Sequence, residues 1–289
     1  MDMTSKKRIL VAAAQISAPL GDVEGNTQKI IDAISSAEDK GVDVVITPEL
    51  AILGYGSGDI YLDKADENMA ALHRIVEHTA GKKVMAIVGF MEKDELGFFY
   101  DAAAVIRDGN LMEIYRKVQL VNYRLFDEKR YFRPGSSLPV FSADFGKFGI
   151  LICEDVWFPE PARALTFRGA KVIFVLSASP YSRKKPETWR GFLKERAYDN
   201  LLPFAFSNMA GLHDGVTYWG GSMAVSASGE LIGQGKLLEE DMPIFEIDLS
   251  ESERLRRRDI RVREVRREIL QELINAFDEM QNPPNTRII

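Results

Sequence analysis

An alternation limits the fold of this chain more than any other feature: short, nearly continuous apolar runs separated by longer segments of helical period. ILVAAAQI (Ile9 to Ile16), VDVVITPEL ending near Pro48, KVMAIVGF and KVIFVLSAS carry almost no polar-out alternation. Runs of that kind suit strands buried on both faces, the condition found in parallel sheets covered by helices. Between them, Asn26 to Lys40 reads as an amphipathic helix closed by Gly41, and Asp63 to Gly81, Pro159 to Gly169 and Pro186 to Asn200 read as further helices. AAAVIRDGNLMEIYRK reads as a hairpin turning at Asp108-Gly109-Asn110, and FSADFGKFGILICE as a second hairpin-like pair. LPFAFSNMA and GSMAVSAS add strands, and Ser250 to Met280 is mostly helical. The pattern predicts a layered α/β fold. Without linker composition or short repeats, one domain over residues 1–289 is the economical expectation, with a core at about 8–249 and a C-terminal extension at 250–289.

Composition narrows the function classes. A net charge of −6 argues against nucleic acid or an anionic membrane as the main partner. The single cysteine cannot form an internal disulfide, so nothing asks for an oxidising compartment. Lys6, Lys7 and Arg8 ahead of ILVAAA imitate a secretion signal, but the apolar part is shorter than the roughly 7–15 residues such a region uses. No apolar run approaches the roughly 20 residues of a membrane span. The expectation is a cytoplasmic protein.

The one cysteine lies in GILICEDVW, where an apolar run reaches Cys153 and two acids, Glu154 and Asp155, follow at once. Position alone favours a small buried hydrophobe. Yet strand ends in α/β folds are where catalysts gather, and a thiol beside acids needs a base and a compensating cation. The histidines do not supply them. His73 and His78 lie five apart on a surface-type helix and are read as solvent-facing, and His213 in AGLHDG is a loop candidate. No Cys/His cluster has metal-ligand spacing, so no metal is expected. Two other strand ends offer the missing groups: Glu49 in VVITPEL and Lys117 in MEIYRKVQL. Singly, each is most simply a solvated charge. Together with Cys153 they make a carboxylate, an ammonium and a thiol, able to move a proton, balance charge and stabilise an oxyanion.

TPEL around Glu49, YRKVQL around Lys117 and CEDVW around Cys153 resemble, in order and spacing, the three signatures of the nitrilase superfamily of carbon–nitrogen hydrolases. Within it, KVQLVNYRLFDEKRYF (Lys117 to Phe132), CEDVW and SASPYSRKK (Ser177 to Lys185) are most similar to the glutaminase domain of glutamine-dependent NAD synthetases. The Ser-Gly-Gly-x-Asp-Ser loop of those synthetases' ATP-using domain does not occur here, and their Gly-Gly-Gln-Asp-Glu loop is only partly matched by Gly211-Leu212-His213-Asp214-Gly215.

The resemblance implies an αββα sandwich, four layers per subunit, dimerising into αββα–αββα with the extension at a subunit interface. It implies a Glu49, Lys117, Cys153 triad joined by Glu128 of FDEKRYF, whose plain alternative is a salt bridge with Lys129 or Arg130. Tyr55 of GYGSGD, a loop too irregular for a phosphate-binding motif, would line the pocket. For an amino-acid amide, Glu154 and Tyr55 would take the ammonium end, and Ser179 and Lys185 the carboxylate. Arg183, Lys184 and Lys185 also read as a solvated charge run. The implied activity is thiol-dependent cleavage of a non-peptide C–N bond with release of ammonia, without cofactor or metal. Glutamine, another small ω-amide or an N-carbamoyl compound are the substrates considered, and an ammonia-using synthetase is the partner. From another class, a catalytically silent regulatory module would keep the same fold. The eight arginines between Arg254 and Arg267 alternate with acids and apolar residues, which favours packing on the body or a neighbouring subunit over a nucleic-acid arm.

Overall fold

Two six-stranded sheets built on the same plan face each other in the computed structural model, which describes residues 6–56 and 58–281. In the first half of the chain, β1 (Arg8–Ala13), α1 (Val23–Asp39), β2 (Val44–Ile46), α2 (Ile60–Asp63) and α3 (Ala65–His78) lead into β3 (Met85–Lys93), β4 (Phe99–Arg107) and β5 (Asn110–Arg116). After α4 (Glu128–Tyr131), the second half runs β6 (Val140–Ala143), β7 (Gly146–Ile152), α5 (Pro159–Phe167), β8 (Val172–Ser177), α6 (Lys185–Asn200) and β9 (Phe204–Asn208). A small hairpin, β10 (Ala210–His213) and β11 (Val216–Trp219), precedes β12 (Met223–Val225), β13 (Leu231–Gln234), β14 (Ile244–Asp248), α7 (Ser250–Arg256) and α8 (Arg267–Gln281).

The strand orders are β14-β1-β2-β3-β4-β5 and β13-β12-β9-β8-β7-β6. At each centre lie three parallel strands, β1-β2-β3 and β7-β8-β9, flanked by antiparallel ones. Strand alternation sorts the apolar residues into layers. Ile9, Val11, Val44, Ile46, Ile87, Ala103 and Val105 meet Phe148, Ile150, Phe174 and Leu176 between the sheets. Ala12, Val45, Ala86, Val88, Ala102 and Ala104 turn outward to Ile30, Ile34, Leu72 and Ile75 of α1 and α3. Helices α5 and α6 cover the other sheet through Leu165, Trp189 and Leu193. The αββα sandwich expected from the sequence is what forms.

The tail is mostly helical, as expected, in two pieces with residues 257–266 running through turns between them. Some expectations need correction. The arginine-rich segment packs only in part: Arg261 lies over the Tyr198 ring and its carbonyl accepts from Arg163, while Ile260 and Val265 stay exposed. His78 does not face solvent freely, since its Nε2 lies 2.8 Å from Ser35 Oγ on α1. His213 ends a strand rather than a loop and stacks on Tyr218 at 4.5 Å between centroids. Among the described residues no helix is long and apolar enough to cross a membrane.

Candidate active site

The parallel strands β2, β7 and β8 deliver Glu49, Cys153 and Ser177 at their carboxyl ends, and β5 delivers Lys117 beside them. Each strand stops for a local reason. Pro48 cannot donate to a ladder, and Leu50 at φ 48° turns the chain sharply after Glu49. Gly89 on β3 lets that turn lie against the sheet, because a Cβ there would stand 2.1 Å from the Pro48 carbonyl oxygen. Cys153 itself has φ 44°, a left-handed conformation that L-residues adopt at a cost, and it opens a single 3₁₀ turn, Cys153–Val156. That kink lifts the thiol off the end of β7.

Lys117 is the electrostatic centre. Its ammonium is fully buried, and Nζ donates to Glu49 Oε1 at 2.5 Å and to Glu128 Oε1 at 2.8 Å. A third carboxyl, Asp101 at the start of β4, brings Oδ2 to 3.2 Å. Burial alone would push the lysine pKa down, but Glu128, Glu49 and Asp101 together hold it well above its ordinary value. Glu128 pairs with neither Lys129 nor Arg130: it is buried, and it also accepts from the Tyr55 hydroxyl at 2.5 Å and the Val121 N–H at 2.9 Å. Burial still raises its pKa, with Lys117 opposing and Glu49 adding to the rise. The second oxygen of Glu49 accepts from the Ala178 N–H at 2.7 Å, which aims the carboxylate from both sheets at once. Glu49, Asp101 and Glu128 hold oxygens within 4.8 Å of one another, a spacing that suits a cation, and the cation at their centre is the Lys117 ammonium.

The acids after Cys153 do different work. Asp155 points away from the thiol: one oxygen accepts from the Val118 and Gln119 N–H groups at 3.1 and 2.8 Å, the other from Ile152 N–H at 2.9 Å and Tyr115 hydroxyl at 2.7 Å. It therefore buckles the end of β7 to the end of β5, fixing Cys153 relative to Lys117. Its pKa is pushed by burial up to about 6, against those donors. The thiol is nearly fully buried, accepts from Ser177 Oγ at 3.3 Å, and is held well above its ordinary pKa by burial and Glu49, with Lys117 opposing. At rest it is a neutral thiol.

Outside this centre a cavity of about 360 Å³ is lined by Tyr123, Arg124, Phe126, Trp157, Tyr181 and Lys185, among others. Glu154 is half-buried between the two regions, with the Tyr123 hydroxyl at 3.5 Å and a pKa raised by burial. Lys185 is not part of a solvated charge run: it is half-buried, with Nζ 4.3 Å from the centroid of the Trp157 ring, and burial lowers its pKa. Tyr55 is buried with its hydroxyl committed to Glu128, and Ser179 is 2% exposed with Oγ accepting from Trp189 Nε1 at 2.9 Å. These two expected substrate contacts thus support neighbours, while Lys185 lines the cavity and Glu154 lies beside its Tyr123 wall. Sequence reasoning missed Asp101, Tyr115, Ser177 and the bracing role of Asp155.

A fold of paired sheets with a buried carboxylate, ammonium and thiol at its strand ends defines a class of hydrolase, and the carbon-nitrogen hydrolase family model matches residues 10–257. The chain belongs to that family. It is 43% identical over 253 residues to the glutamine-dependent NAD(+) synthetase of Thermotoga maritima, a match covering 86% of this chain and 44% of the relative. The structure of glutamine-dependent NAD+ synthetase from Acinetobacter baumannii superposes with a TM-score of 0.81 at 33% identity, over 85% of this chain and 47% of that one. The chain thus spans less than half the length of these relatives. An amidase from Nesterenkonia sp. AN1, at 24% identity and TM-score 0.80, covers 94% of this chain and 98% of its own and shares the fold.

Proposed function

We propose that this protein is a glutaminase-type thiol amidohydrolase in which Cys153 is the nucleophile, Glu49 the general base and acid, and Lys117 the charge-balancing electrophilic group. The observation that carries this reading is the buried Lys117 ammonium bridging Glu49 and Glu128 beside a neutral thiol. Cys153 Sγ attacks the amide carbon as Glu49 takes its proton, so no free thiolate accumulates near the carboxylates. The oxyanion is stabilised by Lys117 and the Glu154 backbone N–H. Collapse breaks the C–N bond, Glu49 returns the proton to the leaving nitrogen, and ammonia departs from a thioester. Water then attacks with Glu49 again accepting a proton, and the thiolate leaves and is reprotonated. Glu128 holds Lys117 throughout, and Tyr55 holds Glu128.

Glutamine is the favoured substrate because the half-buried pair Glu154 and Lys185 offers opposite charges beside the cavity, as an amino acid's ammonium and carboxylate require. The relatives named as glutamine-dependent synthetases support the same choice. An ammonia-using synthetase is then the natural recipient of the product. A homodimer fits the exposed apolar stripe of α8, where Leu270, Leu273, Phe277 and Met280 follow one another at three- and four-residue steps. The cytoplasm suits a chain whose only cysteine must stay reduced. Ammonia release from glutamine, asparagine, aliphatic amides and N-carbamoyl compounds tests the assignment, with Cys153→Ala as control. Turnover confined to glutamine and lost in the variant supports it. Activity only on neutral amides, or none on any amide, contradicts it.

A further inference from the structure

One ammonium faces three buried carboxyls, and full ionisation would leave two negative charges uncompensated inside the protein. Such a charge is avoided by binding a proton rather than tolerated. The three acids are not equally placed to bear it. Glu128 accepts from Lys117, the Tyr55 hydroxyl and the Val121 N–H, and Glu49 accepts from Lys117 and the Ala178 N–H. Asp101 has only the 3.2 Å approach of Lys117, and neither of its oxygens makes a well-aligned hydrogen bond. Strand alternation aims it inward with Ala103 and Val105, fully away from water, and its backbone carbonyl accepts from the Lys117 N–H at 2.9 Å. A carboxyl so poorly supplied with donors is the one that keeps its proton, and the acceptor its O–H needs is at hand in the Glu49 carboxylate, whose oxygen shares the same cluster within 4.8 Å.

We propose that Asp101 is a positioning residue of the catalytic centre that carries a proton at neutral pH, serving as the neutral third neighbour of the Lys117 ammonium and fixing the charge against which Glu49 works as a base. The inference deepens the proposed hydrolase site without depending on which amide it cleaves. Burial and the neighbouring Glu49 and Glu128 raise the Asp101 pKa well above its ordinary value, with Lys117 opposing, and Tyr61 and Tyr115 are the other titratable groups that sense its charge. An ionised Asp101 would bind Lys117 more tightly and add a second uncompensated charge where Cys153 must give up its proton. A neutral one lets Glu49 and Glu128 share the ammonium.

Infrared difference spectroscopy of protein carrying ¹³C-carboxyl aspartate tests this directly at pH 8. Asp101 and Asp155 are the two buried aspartates among the described residues, and Asp155, at about 6, is ionised by then. A carboxylic-acid carbonyl band shifted by the label is expected in the wild type and is expected to vanish in Asp101→Asn. Absence of the band in the wild type overturns the proposal, and this measurement needs neither a variant nor a substrate. Kinetics on whichever amide the wild type cleaves supply the second readout: Asp101→Leu should lose at least about tenfold in kcat, and Asp101→Asn, a neutral hydrogen-bonding isostere, should recover most of it. An asparagine variant as slow as the leucine variant would mean that a negative charge is needed, and the proposal would fail.

Discussion

Replacing Lys117 with Met keeps most of the side-chain volume and removes the ammonium from between Glu49, Glu128 and Asp101. Breaking a buried ion pair by deleting one partner typically costs about 3–5 kcal/mol, because the remaining charge has nothing to offset it. The structure adds a pH dependence to that figure. With the cation gone, at least one further carboxyl must bind a proton in the folded state, so the folded pKa values of Asp101 and Glu128, already raised, rise further. An acid raised in this way contributes stability that is present below its unfolded pKa and is lost as pH climbs through the folded value. One extra proton bound on folding is worth about 1.4 kcal/mol per pH unit, so the variant's deficit should grow by about 2.7 kcal/mol between pH 6 and pH 8. Lysine itself does not contribute to this slope, since it is charged in both states across that range. Urea unfolding of both proteins at pH 6, 7 and 8 measures it. A deficit that stays constant, or shrinks as pH rises, would refute the reasoning. Amidase activity should fall at least about a hundredfold at every pH, the scale for one lost transition-state stabiliser.

Three further substitutions probe the scaffold and the mouth. Gly89→Ala forces a Cβ to within 2.1 Å of the Pro48 carbonyl oxygen, so it should destabilise by about 1–3 kcal/mol and displace Glu49 enough to remove most activity. Gly191→Ala on α6, where nothing lies within 4 Å, should instead stabilise slightly in thermal unfolding. Lys185→Ala should raise the KM for glutamine at least about tenfold while leaving a neutral aliphatic amide within about threefold. Equal losses on both substrates would remove Lys185 from carboxylate recognition.

Much of this architecture could be read from the chain because both-face burial writes itself as unbroken apolar runs, as in β1, β3 and β8. The strand ends were equally clear, since Glu49 and Cys153 close the apolar runs of β2 and β7 and Lys117 follows β5 directly. What escaped notice depends on contacts between distant segments. Asp101 is the third residue of β4, near the polar end of a hairpin, where an acid normally faces water, and only its shared parity with Ala103 and Val105 hinted that it turns inward. Asp155 was read against its neighbour in sequence, the thiol, whereas its donors come from residues 115–119 as well as Ile152. Strand β14 alternates with period two and pairs with β1 across nearly the whole chain, a partner no local pattern announces. Tyr55 and Ser179 lie near the expected places, but their hydroxyls are taken by Glu128 and Trp189.

The central claim is that Cys153 becomes acylated by an amide, and mass spectrometry of the protein quenched during turnover tests it most directly. With glutamine in excess, acid quenching within the first turnovers followed by peptide mapping should place a glutamyl adduct on the peptide containing Cys153, formed together with a matching burst of ammonia. The same experiment on Cys153→Ala, a change that removes little volume from a folded core, should give neither adduct nor burst. Ammonia released at the wild-type rate by the alanine variant, or an adduct carried by any other residue, would contradict the account.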